Sequence, residues 1–360
     1  MQVANPYIYK IKPYVPGKPI DEVKRELGLK SVIKLASNEN PYPPSPKVLA
    51  AIAKAAREIN RYPDGGCFVL RRTLARKLNI DDDQLIFGNG SDEIIVLAVK
   101  AFAAKGDEII IAKPSFLIYE IASILSGARL HQVPLNDFRY DLEGIKAKIN
   151  ARTKIIFIGN PDNPAGTYVT CSQVEDFLKA VPKNTLVFFD EAYFEYVQAK
   201  DYPDTLSLIK KYPNVMTART FSKMYGLAGL RIGYGIASPA IIDILNRLRE
   251  PFNVNSIAQA AAVAVLGDDA YYRQIAQEIN EQRKYLYRSF ESMNVPYEKS
   301  FTNFILVHVG GDSSQVTGDL LKKGVIVRDM AVWGLKGYIR VSIGSSSENK
   351  RFIKSLGETL

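Results

Sequence analysis

From about residue 48 to residue 236 the chain alternates short, nearly continuous apolar runs with segments of helical periodicity, and that alternation leaves few folds open. The strand-like runs fall at 84–87, 108–111, 129–133, 154–158, 185–189, 214–217 and 232–236. Before and between them lie helical patterns such as 48–59, 70–78 and the segment that opens at Ser91 with Asp92 and Glu93 in its first turn. A strand with one face in water alternates apolar and polar residues. A run such as Ile155-Ile156-Phe157-Ile158 does not, so both of its faces must be covered, as in a parallel sheet with helices on either side. The pattern predicts an α/β fold.

The texture changes after Pro251. Helical patterns over 257–265 and 270–293 precede strand-like runs at 304–309, 325–327 and 338–342, the outline of a smaller α+β unit. A helix over 240–249, opening just after Pro239, would connect the two parts. The stretch before residue 46 is rich in Pro, Tyr and Asn and reads as an extended arm with a short helix near 20–27. A chain of 360 residues exceeds what one core usually fills, so an arm (1–33), a large domain (34–248) and a small C-terminal domain (249–360) are expected.

Several function classes drop out. No apolar run approaches the ~20 residues that span a bilayer, and the first residues lack a secretory h-region, so a cytoplasmic location is expected and no membrane partner. Two cysteines (Cys67, Cys171) and two histidines (His131, His308) leave no disulfide framework and no Cys/His metal centre. The net charge of +9 comes from dispersed basic residues without an arginine-rich block, which argues against nucleic acid and for anionic small molecules.

Open α/β sheets bind ligands at the carboxyl ends of their strands, and four chemically suggestive groups fall there. Asn163 follows the run ending at Ile158. Asp190 ends the run 185–189, with Tyr193 three residues on. Gly88-Asn89-Gly90-Ser91-Asp92 joins a strand to a helix, where backbone amides and the helix dipole can hold a phosphate. Lys223 follows the run 214–217, within Thr220-Phe221-Ser222-Lys223-Met224-Tyr225-Gly226-Leu227-Ala228-Gly229-Leu230-Arg231. A lysine attacks a carbonyl only as the free amine, a form that burial or a neighbouring cation such as Arg231 favours. The hydroxyls of Thr220 and Ser222 and the Arg231 guanidinium suit a phosphate. Singly, each group has a plain explanation: a helix cap, a turn former beside Pro164, a tight loop, a solvated lysine. Their joint appearance in one order does not.

With these motifs the chain resembles the fold type I pyridoxal-phosphate enzymes, and among them the histidinol-phosphate aminotransferases, over essentially its whole length. The matching runs are Leu35-Ala36-Ser37-Asn38-Glu39-Asn40-Pro41, Arg61-Tyr62-Pro63-Asp64-Gly65, 88–93, 160–166, Asp190-Glu191-Ala192-Tyr193, 220–231 and Tyr338-Ile339-Arg340-Val341. The resemblance implies a large domain with a mainly parallel seven-stranded sheet and a smaller α+β C-terminal domain. It implies pyridoxal 5′-phosphate held covalently by Lys223, with Asp190 keeping the pyridine nitrogen protonated. Asn163 and Tyr193 would bond the ring oxygen, and Phe116 would stack on the ring. Gly90, Ser91 and Asp92 at the helix start, with Thr220, Ser222 and Arg231, would hold the phosphate. Tyr62 would reach that phosphate from a second subunit, which implies a homodimer. Lys223, Asp190 and Tyr193 would be the catalytic set.

Such an enzyme takes an amino donor and a 2-oxo acid in one site. The resemblance assigns Arg340 and Arg328 to the anions, a role that the planar guanidinium suits, and Tyr14 and Asn38 to the substrate. It implies L-histidinol phosphate and 2-oxoglutarate as the pair and histidine biosynthesis as the setting. Ala165 and Asp162 depart from the threonine and asparagine common at those positions. An aromatic amino-acid aminotransferase and a threonine-phosphate decarboxylase-like enzyme share the cofactor motifs and stay open. A transcription regulator with this cofactor does not, because the stretch before Leu35 is too short for a winged helix. A dinucleotide fold is disfavoured because Gly88-Asn89-Gly90 lacks the third glycine of its fingerprint.

Overall fold

A computed structural model describes residues 3–13 and 17–360. Seven strands form the main sheet: β1 (Leu85–Gly88), β2 (Glu108–Lys113), β3 (Arg129–Pro134), β4 (Thr153–Gly159), β5 (Leu186–Asp190), β6 (Val215–Thr220) and β7 (Gly233–Ala237), in the spatial order β1-β7-β6-β5-β4-β2-β3. All neighbours are parallel except β7, which runs antiparallel to both β6 and β1. The predicted α/β class and the mainly parallel seven-stranded sheet are therefore the observed ones.

The apolar runs of β1, β2, β4, β5, β6 and β7 are buried on both faces, for the reason their composition gives, whereas the edge strand β3 is mostly half-buried or exposed. Ile156, Ile158, Val187 and Phe189 point into one core layer, and Ile155, Phe157, Leu186 and Phe188 into the other, the period of two expected of strands. Each such side chain is fully or almost fully buried and contributes on the order of 1.5–3 kcal/mol. The helices that cover the sheet are bounded by local chemistry. Ser45 caps Pro46–Ala55, Thr170 and Gln173 form a capping box for Cys171–Ala180, and Gly127, at φ +76°, ends Leu117–Ser126.

The C-terminal part carries a three-stranded antiparallel sheet, β9 (Arg328–Asp329), β10 (Tyr338–Ser342) and β8 (Phe304–His308), in that order with β8 numbered first along the chain. The single run expected at 325–327 divides: Val325–Ile326 pairs with Ile33–Lys34, and Arg328–Asp329 pairs with β10. The chain changes sheets at Val327, and this puts Arg328 opposite Arg340 in the register.

Candidate active site

The carboxyl ends of β1, β4, β5 and β6 lie along one edge of the main sheet and open into a cavity of about 390 Å³. It is lined by Asn38, Ser91, Asp92, Phe116, Asn163, Asp190, Tyr193, Thr220, Ser222, Lys223, Arg231, Arg328 and Arg340. Thirteen of the residues singled out in the sequence thus meet at one place, across a span of three hundred positions. Gly90 adjoins them beside Arg231. Tyr62 does not join them: it stands on the surface, 83% exposed, stacked on Phe252 at 4.8 Å. Tyr14 falls outside the described residues.

Two glycines shape the wall where β1 meets the helix Ser91–Phe102. Gly90 has φ +84°, and a Cβ there would collide with the Arg231 guanidinium. Gly233 opens β7 directly beneath, where a Cβ would strike the Ser91 amide. The Ser91 amide and the start of a twelve-residue helix thus lie at the cavity wall, an anion-binding arrangement. Arg231, itself at φ +55°, reaches Asp92 Oδ2 at 3.3 Å and Ser222 Oγ at 3.5 Å. The Asp92 carboxylate is thereby turned to Arg231, so any part it takes in holding an anion falls to its backbone amide. The Ser222 amide in turn donates to Thr220 Oγ1 at 3.1 Å.

Asp190 lies at the end of β5, fully enclosed. Its Oδ2 accepts a 2.6 Å hydrogen bond from the Tyr119 hydroxyl, and its Oδ1 accepts the Ala192 amide at 3.1 Å. Burial pushes the carboxyl up to about 6, while those two donors act in the opposite sense. Tyr119 is a residue that the sequence reading misses. It lies three positions beyond Phe116, packs edge-on against it at 5.7 Å, and stacks on Phe157 at 4.7 Å. Spacing within the helix Leu117–Ser126 was the available signal; the partnership with Asp190 is tertiary.

Three further groups face the space above Asp190. Lys223 Nζ is 3.4 Å from the Ser37 carbonyl and 5.7 Å from the centre of the Tyr193 ring. The Tyr193 hydroxyl accepts from Asn38 Nδ2 at 2.9 Å, which frees its own proton for donation. Asn163 Oδ1 accepts from Arg340, leaving the Asn163 amide nitrogen as its remaining donor. Asn38, at φ +55°, also receives Asn303 Nδ2 on its carbonyl at 2.8 Å and gives its amide to Ser342 Oγ at 2.8 Å. Arg340 is buried between the rings of Phe304 and Trp333, each 5.2 Å away, and donates to the Ala36 carbonyl at 3.1 Å. Asp162, enclosed beneath Asn163, is pushed up to about 7 by burial, against the pull of the Ala165 and Asn163 amides.

Pyridoxal 5′-phosphate fits these residues on the structure's own terms. A glycine-lined helix start beside a guanidinium suits its phosphate, a buried carboxylate suits its ring nitrogen, two donors suit its ring oxygen, and a lysine amine stands between them.

The comparisons with known proteins agree with that chemistry. The profile of the family "Aminotransferase class I and II" matches residues 30–356. The histidinol-phosphate aminotransferase of Moorella thermoacetica is 49% identical over 98% of this chain and 92% of its own length. That of Caldicellulosiruptor saccharolyticus is 48% identical, over 98% of this chain and 99% of its own. Among solved structures, histidinol-phosphate aminotransferase from Sinorhizobium meliloti in complex with pyridoxal-5′-phosphate superposes with a TM-score of 0.91 at 31% identity, covering 100% of this chain and 98% of that one. Aspartate aminotransferase from Thermus thermophilus, at 19% identity and TM-score 0.86, shares the fold.

Proposed function

This chain belongs to the class I and II aminotransferases, and from that premise we propose that it transfers the amino group of L-histidinol phosphate to 2-oxoglutarate, giving imidazole acetol phosphate and L-glutamate. Pyridoxal 5′-phosphate is the cofactor. The observation that carries the reading is the meeting, in one cavity, of Lys223, Asp190 and the Ser91 anion site with two arginines, Arg328 and Arg340.

When bound, the cofactor supplies an electron sink for the bond broken at the substrate's α-carbon. The protein's part is to hold and to move protons. Asp190 keeps a proton on the ring nitrogen, helped by the Tyr119 hydroxyl that favours the ionised carboxylate. Tyr193 and Asn163 would donate to the ring oxygen, and Phe116 would cover the ring. The amides of Gly90, Ser91 and Asp92, with Thr220, Ser222 and Arg231, hold the phosphate. Lys223 is the residue that would hold the cofactor's aldehyde carbon, and its Nζ would be the base that moves a proton at the substrate's α-carbon. Arg340 and Arg328 receive the acidic groups of the donor and the oxo acid in turn, with Asn38 and Tyr14 at the substrate.

The arm (1–33), the large domain (34–248) that holds β1 to β7, and the small domain (249–360) that holds β8 to β10 are taken as the working units. The exposed, stacked rings of Tyr62 and Phe252 are read as part of the face that a second copy covers, which would bring Tyr62 to the partner's phosphate site. No described helix is long and apolar enough to cross a membrane, and a cytoplasmic location fits a biosynthetic role.

The test is a visible absorbance spectrum of the purified protein. The cofactor band should be lost on adding L-histidinol phosphate and restored by 2-oxoglutarate, and Lys223→Ala should bind cofactor without turnover. A band that responds only to L-phenylalanine would move the function to the aromatic aminotransferases. No band after adding cofactor would overturn the reading.

A further inference from the structure

The chain's single tryptophan stands between the two arginines. Trp333 closes a short 3-10 turn, Ala331–Trp333, that links β9 to β10, and Gly334, at φ +86°, reverses the backbone after it. The turn is tied down from behind. The Asp329 carboxylate accepts the Ala331 amide at 3.0 Å and the hydroxyls of Ser313 and Ser314 at 2.9 and 2.6 Å. On the cavity side the indole lies 5.2 Å from the Arg340 guanidinium and 5.7 Å from that of Arg328. It is half-buried and lines both the 390 Å³ cavity and the adjoining one of about 990 Å³ that opens toward the arm.

We propose that Trp333 is a positioning residue for acid recognition: its indole holds Arg328 and Arg340 as a spaced pair, so that one site accepts both a phosphate monoester and a dicarboxylate. The inference rests on the reading of this site as one that takes acidic substrates. Three features carry it. Both guanidiniums lie within reach of one aromatic ring, where cations are attracted. The register that sets Arg328 opposite Arg340 places both on adjacent strands, so the ring at the end of the connecting turn spans them. The turn is rigidly anchored through Asp329, so the ring's position is set by the fold and not by the ligand.

Losing an aromatic partner for two cations predicts a rise in KM of about five- to thirtyfold for both 2-oxoglutarate and the phosphate-bearing donor in Trp333→Leu. The rate at saturation should change less than about twofold, because Lys223 and Asp190 are untouched. Trp333→Tyr, which keeps an aromatic face, should recover most of the loss. A fall in kcat at unchanged KM, or a KM effect on one substrate alone, would overturn the proposal.

A second readout needs no turnover and no variant. As the only tryptophan, Trp333 should change its emission saturably when cofactor-loaded protein is titrated with 2-oxoglutarate, and again with inorganic phosphate. Emission indifferent to both anions would overturn the proposal even if Trp333→Leu failed to fold. If the wild type turned over no donor yet its emission followed both anions, the reading of the reaction would fail and the role of Trp333 would stand.

Discussion

Removing one oxygen atom tests how Asp190 is held. Tyr119→Phe keeps the ring that stacks on Phe157 and packs against Phe116 and deletes only the hydroxyl that donates to Asp190 Oδ2 at 2.6 Å. A hydrogen bond to a buried charged group is worth about 1.5–3 kcal/mol, and Asp190 keeps its second donor, the Ala192 amide. The loss falls on the ionised carboxylate alone. Burial has already raised the group to about 6, so the remaining preference for the carboxylate at neutral pH is small, and losing the donor carries it further up. The pyridine nitrogen then loses its counter-charge, and cofactor affinity near pH 7 should weaken about ten- to a hundredfold. The assay is an absorbance titration of cofactor-free protein with pyridoxal 5′-phosphate at pH 6, 7.5 and 9. Because a raised carboxyl ionises as pH rises, the gap between variant and wild type should be largest near neutrality and narrow at pH 9. Equal affinity throughout, or an equal deficit at all three values, would refute the argument; the second outcome would mean packing damage.

Two more predictions concern stability. Asp162, raised to about 7 against an unfolded value of about 3.9, makes the folded protein lose stability as pH rises through that window. Asp162→Asn removes this dependence, and after allowing about 1–3 kcal/mol for burying an amide it should gain about 1–3 kcal/mol over wild type at pH 8 and lose about 1–3 kcal/mol at pH 4, by urea unfolding of cofactor-free protein; a difference independent of pH would contradict the assignment. Arg219, nine-tenths enclosed or more, donates to Glu191 Oε2 at 2.8 Å, which also accepts Thr205 and Thr217. Arg219→Met strands that carboxylate and should lower unfolding stability by about 3–5 kcal/mol; a loss under about 1 kcal/mol would show that the pair is replaceable.

The strands were legible because burial on both faces writes a short continuous apolar run, as at 154–158; the similar run 94–99 lies in a helix, set apart by its length and its acidic first turn. The residues at the strand ends were legible by chemistry: an Asp, an Asn and a Lys each placed just after such a run. What escaped depends on contacts between distant segments. Ser346–Gly357 was not read as a helix, although Ser345 and Glu348 form a capping box, because its amphipathic face is short and weakly apolar. Tyr119 was hidden because nothing local to it announces Asp190, seventy-one positions away. The division of 325–327 between two sheets depends on which partner strand is nearest, and no local pattern carries that.

Asn38 has a consequence that reaches beyond its own contacts. It is bonded at once to Ser342 at the end of β10, to Asn303 before β8, and to the Tyr193 hydroxyl beside the cofactor position. Arg340 sits two residues from Ser342 on the same strand. Any variant that shifts β10 to suit a different acid therefore pulls on the atom that orients Tyr193. Substrate range and cofactor electronics share one mechanical linkage, so a change in the acids this protein accepts must either preserve Asn38 or retune the ring chemistry with it.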